Sequence, residues 1–548
     1  MPWGNRRITG LGAATDDDHA VRRDQVAALA RPGIAYVEDA AYGAVGDGTT
    51  DDSTAIQAAL DSGEGLVICK PGTTYQVSTG LVIPAGVTFD LQGATIRGDA
   101  GLAAVVTYGT VGTFGTVQFR NGRVTRSGGA PSSTTVGVDI VDGYRHLTQN
   151  ILSDNHGICW SVRSVTLTYG INARFEECSA GRASGVFIDI DTWPELYWTG
   201  GRIGENGTTD YACTAYVRIQ GGLNGAGHGP NTINFVNVHF NSGGTPATNG
   251  PNYAIAFTDQ TAALVGQALE LFNFVNCHFE GYEVAAVMSD ASWATITGLN
   301  LTNVNFNQST AVVLAMNAAT RFLKCAWVGT KLHGASFTYQ PTTSDPTQNF
   351  DLLGCHIPGP VTISTSASGS TMTMIGGTLA SLTLSGAWHS FRIDAMEMTD
   401  PGTGFDDSAA SGNIDVNFLP ENQTEFTPTL RFGGGSTGMT YGTRGASYQV
   451  KGRMVTVAVS IALTNKGSST GNATIDLPVT PYAGTAGGGV IAYANNFSAL
   501  TGALRIWATP GESVAYFGMS SATGVTAVSE GYFTNTTEFQ LIFSYFTR

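Results

Sequence analysis

Apolar residues in this chain come in brief runs broken by Gly, Pro, Ser and Asn: Leu66–Cys69, Tyr75–Val77, Leu81–Ile83 and Val87–Leu91 are the first of them. Runs of that length bounded by turn residues predict short β-strands. One stretch breaks the habit. Ala55, Ile56, Ala59 and Leu60 recur at helical spacing, Asp51 or Asp52 stands where a cap belongs, and Gly63 ends the segment. Gly43, Gly46 and Gly48 supply turns just before it. The pattern predicts a helix near 52–62 that covers the open end of a stack of strands.

The strands repeat. NGRV from Asn121, NILS from Asn150, ECSA from Glu177, GGRI from Gly200, NVHF from Asn237, NCHF from Asn276, NVNF from Asn303, KCAW from Lys324, GCHI from Gly354 and GGTL from Gly376 begin 21 to 39 residues apart. Such spacing fits one solenoid coil of three short strands and three turns, rising by about 4.8 Å per coil. The alignment puts Cys178, Cys277, Cys325 and Cys355 at one place in their coils, as small interior fillers. It stacks His239, His278 and His356 in another column, pointing either inward or along one face, with a structural role favoured. Two insertions, 207–231 and 242–268, are rich in Gly, Pro, Asn and Thr, and loops of that length are usually functional. The repeat is expected over 39–400. TDPGTGFDDSAASGN then opens a polar linker, 401–423. Strands at 448–451, 455–462, 474–477, 503–507 and 539–545 alternate with Gly-rich turns and predict a β-sandwich or jelly roll over 424–548. Residues 1–38 are a separate segment, in which Asp18–Ala30 has mixed helical spacing that also suits an ordinary surface helix.

Composition agrees with an all-β chain. Of 548 residues 42% are hydrophobic, 13% are charged and 71 are Gly, the last well above the usual ~7%. Seven scattered cysteines show no zinc or redox spacing and read as reduced core thiols. No cofactor or metal is expected. The start, MPWGNRRITG, has no apolar stretch behind its arginines and nothing is long enough to span a bilayer, so synthesis in the cytoplasm without a signal peptide and no membrane insertion are expected. A net charge of −15 disfavours nucleic acid. Between Arg97 and Arg218 ten arginines face eleven acidic residues, nearly in balance. Guanidinium forks there suit an acidic sugar, or equally a bridge between coils.

The GDGTTDD run followed by KPGTTYQVS resembles the start of the pectate-lyase-like β-helices found in bacteriophage tailspikes and polysaccharide-degrading enzymes. FTPTLRFGGGSTGMTYG with SIALTNKGSSTGNATIDLP resembles the C-terminal domains of phage tail fibres and tailspikes, and ITGLGAATDDDHAVRRDQVAALA resembles the stem near their attachment end. The resemblance implies an all-β, right-handed parallel β-helix with an N-terminal capping helix, and a homotrimer in the phage tail. It further implies tail or baseplate proteins as partners through residues 1–38. It implies bacterial surface polysaccharide, capsule or O-antigen, as substrate, acted on outside the host cell.

Glycoside hydrolysis needs one carboxyl group that donates a proton and one that is ionised. In GVFIDIDTWPELYW, Val186, Ile188 and Ile190 alternate with Phe187, Asp189 and Asp191, so both aspartates are expected to face solvent. Glu195 and Glu205 extend this catalytic set. Trp160, Trp193, Tyr197 and Trp198 are expected as sugar-stacking faces, and Arg163, Arg174, Arg202 and Tyr282 as further substrate contacts. Weaker catalytic candidates are Glu270 and Glu280, beside His278 and Glu283, and the pair Asp139 and Asp142. The rivals are β-elimination on a uronic acid, for which Arg163, Arg174, His156 and Tyr169 are the candidate groups, and a spike that binds sugar without cutting it.

Overall fold

The structure is a computed structural model. It describes residues 33–547 apart from 110–114, 165–169, 192–194, 205–212, 222–229, 242–249, 260–267, 291–294, 309–310, 317–321, 335, 340–348, 366–369, 399–404, 419–423, 452, 485, 499 and 522–523. Residues 1–32 of the expected stem, most of both long insertions, Tyr169, Trp193 and Glu205 therefore lie outside the described residues, while Ile34–Tyr36, inside the stem's expected bounds, is a strand paired in parallel with Leu66–Ile68.

The expected solenoid is what the strands build. Each coil from Leu81–Ile83 to Val312–Met316 gives one strand to a nine-stranded parallel sheet. The other two faces join into one larger parallel sheet, in register from coil to coil. The corner between those two faces explains the repeat. Asn121, Asn150, Glu177, Asn237, Asn276 and Asn303 all sit there with φ between 51° and 61°, and Gly200, Gly354 and Gly376 share the left-handed conformation. Only Gly and, among side-chain residues, Asn above all adopt it at low cost. Once aligned, the asparagines bond to one another: Asn276 donates to Asn237 at 3.2 Å and Asn303 to Asn276 at 3.3 Å.

This corner corrects one coil. Thr302 pairs with Val328, so Asn303 is followed in its column by Gly329 and not by Lys324. Cys325 accordingly leaves the column of Cys178, Cys277 and Cys355, where Thr330 takes its place; all seven cysteines are still buried thiols. The histidine column holds, with Arg202, His239, His278, Asn305, Lys331 and His356 in register on the outward side.

Inside, the pleat stacks like on like. Phe175, Trp198, Phe235 and Phe274 follow one another in register, with ring centroids 4.4, 6.0 and 5.1 Å apart. Phe240, Phe279 and Phe306 form a second ladder at 4.2 and 5.1 Å. The capping helix, Ser53–Leu60, buries Ile56, Ala59 and Leu60 on the first coil. Its Gln57 amide also exchanges two 2.9 Å hydrogen bonds with the backbone of Val82, on the first strand of the nine-stranded sheet, so that the sheet's edge is not left open. Asp52 turns its carboxylate toward the Val45 and Gly46 amides, while Asp51 takes the Ser53 amide.

Asp154 ties three coils. It accepts from Arg123 of the coil before and from the Arg182 side chain and amide of the coil after. Burial raises its pKa, yet the bonds from Arg182 and then Arg123 outweigh this and hold it below the ordinary value. A depressed folded pKa contributes stability that is fully present above the unfolded value of about 3.9 and is lost as pH falls through the folded one. Wild type should therefore melt above Asp154→Asn at pH 6, and the gap in thermal midpoint should close as the buffer is taken from about pH 4 downward. A gap independent of pH would refute the assignment.

The segment expected as a linker is partly solenoid. Phe405–Phe418 is a strand paired in parallel with the preceding coil. Its polar sequence suits a last coil with no successor. From Thr424 the pairing turns antiparallel. Ten strands form one sheet in which Thr424–Phe426 and Leu430–Phe432 stand at opposite ends of the strand order. Because these strands are nearly contiguous in sequence, the sheet must roll until its ends meet, around Phe432, Val457, Ile461, Phe517, Phe539 and Phe543. Among the described residues no helix is long and apolar enough to cross a membrane.

Candidate functional site

The nine-stranded sheet departs from simple alternation. Phe187 and Ile188, though consecutive, both enter the main core, as do Cys159 and Trp160, Tyr216 and Val217, Ala254 and Ile255, and Ala286 and Val287 on neighbouring coils. Two inward residues in a row require the strand to bend, as a bulge does. Outward residues flanking the bend then close on each other: Ala215, Ala256 and Met288 form an apolar cluster of their own with Tyr253 and Ala315. The outer face of this sheet is therefore a concave strip. Its later coils are lined by apolar side chains and its earlier coils by charge.

The charged end is built by register. Asp139, Ser161, Asp189 and Arg218 follow one another in one outward column, and Arg163, Asp191 and Gln220 in the next. Arg163 grips Asp139 through Nε at 3.0 Å and Nη2 at 2.7 Å, and the Ser161 hydroxyl donates to the same carboxylate at 2.8 Å. Arg218 grips Asp189 in the same two-point way at 2.9 and 2.7 Å, and Gln220 donates to it at 2.5 Å. Ser164 donates to Asp142 at 2.9 Å. Hydrogen bonding to Asp139 pushes the Arg163 pKa up. For Arg218, burial works against the charge and the Asp189 pair more than offsets it. Three buried carboxylates thus share this face with two guanidiniums, and a fourth, Asp142, is buried at the corner where the strand Val136–Val141 ends.

The aspartates point outward as expected but are not open to solvent: Asp189 is 8% exposed and Asp191 2%. Glu195 is half-buried, 3.5 Å from the Asn172 amide. Trp160 and Trp198 are corrected outright. Both are core residues, edge to face at 5.5 Å, and offer no surface to a sugar. Tyr282 is likewise fully buried. Tyr197 does face outward, on the adjoining sheet, with the Arg174 guanidinium 6.0 Å from its ring. Arg202 is exposed in the histidine column. Glu280 lies one coil beyond Asn241 in that neighbourhood, far along the chain from Asp189. Glu270 falls on the strand Ala268–Val275, its side chain outside the described residues. Glu283 accepts from the Gly250 amide at 3.0 Å. His156 is fully buried, bonded to the Val124 carbonyl at 3.3 Å, and burial pushes its pKa down to about 3, too weak a base for proton abstraction from a uronate.

No family model matches the chain, and no curated protein does. Solved structures do. Tailspikes recur among them. The Dettilon tailspike protein is similar over 94% of this chain and 94% of its own, at 13% identity and a TM-score of 0.37. The tailspike of E. coli bacteriophage HK620, in complex with a pentasaccharide, is similar over 91% and 90%, at 10% identity and 0.45. The Streptococcus pneumoniae surface adhesin PfbA is similar over 70% and 100%, at 14% identity and 0.38. Likeness at this level leaves the chemistry to the groove itself.

Three groups of the groove were missed from sequence: Ser161, Arg218 and Gln220. The signal was available. SVR, DID and RIQ, aligned by coil, put polar residues at the same two outward positions as Asp189 and Asp191. A cleft of about 460 Å³ on the adjoining face, with Arg145, His146, Arg174 and Glu176 among its walls, was also unforeseen. His146 connects the two regions, its ring Nε2 lying 2.9 Å from the Asp142 carbonyl, and burial lowers its pKa.

Proposed function

We propose that this protein is a phage tailspike whose solenoid binds a bacterial surface polysaccharide, capsule or O-antigen, along the concave outer strip and hydrolyses it. The observation that supports this is the group of three buried carboxylates with two arginines on an outward face. Burying such charge costs folding energy, and clefts where carboxyl groups are held in this way are where acid and base chemistry is placed. Asp189, fixed by Arg218 and Gln220, serves as the ionised partner that activates water or steadies positive charge at the anomeric carbon. Asp191, two residues on and on the same side, donates the proton to the leaving oxygen, so that the glycosidic bond breaks as water adds. The apolar residues that continue the strip offer a face for further sugar rings.

A second reading has one observation in its favour. Arg163 leaves 40% of its side chain exposed beside the groove, where a guanidinium suits a uronate, as lyase chemistry requires. The first experiment is incubation with a panel of capsular and O-antigen polysaccharides, following product size, reducing ends and the absorbance of unsaturated uronates. Shorter products with new reducing ends and no unsaturation support hydrolysis. Unsaturated products make it a lyase, and retention without shortening leaves a glycan-binding spike. Assembly as a homotrimer, with residues 1–38 docking to tail or baseplate proteins, belongs to the same reading. Light scattering should return about three times the 57.1 kDa chain mass, and a monomer mass would overturn that part.

A further inference from the structure

We propose that His239, His278 and Glu280 form a binding site for a divalent transition metal ion, with zinc as the best match. The site lies on a different face from the carboxylate groove and stands independently of the function proposed for it. Register brings the donors together: His239 pairs with His278 and Asn241 with Glu280 on adjacent strands. The two imidazole rings are 4.9 Å apart. One donor atom from each of the three residues lies within 4.8 Å of the others. His239 Nε2 is 3.5 Å from Glu280 Oε1, and His278 Nε2 is 3.4 Å from Oε2. Zinc bonds to imidazole nitrogen and carboxylate oxygen are about 2.0–2.2 Å, so ligand atoms on a tetrahedron around zinc stand roughly 3.3–3.6 Å apart. Each of these two separations, one to either carboxylate oxygen, has the length of such an edge.

The state of the ligands agrees. Both Nε2 atoms are shut off from solvent, and beyond the approach to Glu280 at 3.4–3.5 Å, which falls short of hydrogen-bond geometry, neither is satisfied, a cost that a metal ion would remove. The Asn241 amide donates to Glu280 Oε1 and fixes the carboxylate, the outer-shell support that such sites use. In register on either side stand Arg202 and Asn305. Among the described residues this leaves three protein donors, and a water or substrate oxygen completes the shell. The ion would clamp two coils whose ligands are 39 residues apart, the longest repeat of the solenoid.

The test uses untagged full-length protein dialysed against EDTA. Zinc is titrated in competition with a chromophoric chelator, and cobalt(II) is added separately to read its visible ligand-field bands. The proposal expects one equivalent of zinc per chain, a tetrahedral cobalt spectrum and a raised thermal midpoint with zinc. His278→Ala and Glu280→Gln should each weaken zinc binding at least tenfold, and His239→Gln provides a milder variant should His278→Ala fail to fold. His333→Ala, at the neighbouring His333–His356 pair, should bind as wild type does. Absence of saturable one-equivalent binding, or equal binding by all the variants, overturns the proposal.

Discussion

Asp191→Asn is expected to lower the rate of polysaccharide cleavage by about 10²–10⁴-fold, the usual worth of a positioned proton donor, while glycan retention on the protein stays within about twofold. The substitution is nearly isosteric and removes only the transferable proton. The loss should therefore fall on kcat and leave KM little changed. A donor must be protonated to work, so it sets the alkaline limb of the pH profile; the residual activity of the variant should have lost that limb. Asp189→Asn should also abolish cleavage, but by a different route. It deprives the Arg218 guanidinium of the two-point partner it now holds at 2.9 and 2.7 Å, so a fall in thermal midpoint should accompany the lost activity. Asp139→Asn serves as the control. It breaks the equivalent Arg163 pair two coils earlier, and its effect should be on stability far more than on turnover. Unchanged turnover in Asp191→Asn, measured on a polysaccharide that wild type shortens, would remove the proposed acid.

The architecture was legible because the solenoid corner makes a chemical demand. A left-handed residue must recur once per coil, and Asn or Gly meets that demand visibly at Asn121, Asn150, Asn237, Asn276, Asn303, Gly354 and Gly376. The demand also shows why one coil was misplaced. KCAW looks like the other repeats, and Lys324 even has a positive φ, but the corner of that coil is Gly329, where backbone pairing rather than local resemblance decides. The site was legible only as far as alternation holds. It put Asp189 and Asp191 on the outward side correctly. It could not show that the sheet bends at Phe187–Ile188, and the bend is what turns an outward position into a buried one. Trp160 pairs with Ile188 and shares its inward parity, and on the adjoining sheet the inward parity of Leu196 carries Trp198 with it. Outward and exposed are different properties on a concave face. The Asp189–Arg218 pair, 29 residues apart, lies at one coil's distance and was within reach of the repeat spacing alone.

Trp198→Ala is expected to cost about 3–5 kcal/mol of solenoid stability, the range for deleting a large aromatic side chain from a packed core. Trp198 is 1% exposed and lies between Phe175 at 4.4 Å and Phe235 at 6.0 Å, with Trp160 edge-on at 5.5 Å. Its indole N–H donates to the Gly200 carbonyl at 3.2 Å, next to the left-handed corner of the same coil. A coil contacts only its neighbours, so stability is close to a sum of coil and interface terms. The void would therefore weaken two interfaces at once, and relaxation that fills it would have to pull the Gly200 corner inward against the coils above and below. Tyr197→Ala on the same strand removes an outward ring and should stay within about 0.5 kcal/mol, as surface substitutions generally do. Urea unfolding followed by far-UV circular dichroism, with limited proteolysis to locate the first cleavage, separates the two. The Trp198 variant should unfold at lower urea and be cut first among the coils around residues 175–235, while the rolled C-terminal sheet, whose core is separate, keeps its resistance. A loss below about 1 kcal/mol would mean that hydrogen-bonded strand pairing, and not the aromatic ladder, holds these coils together.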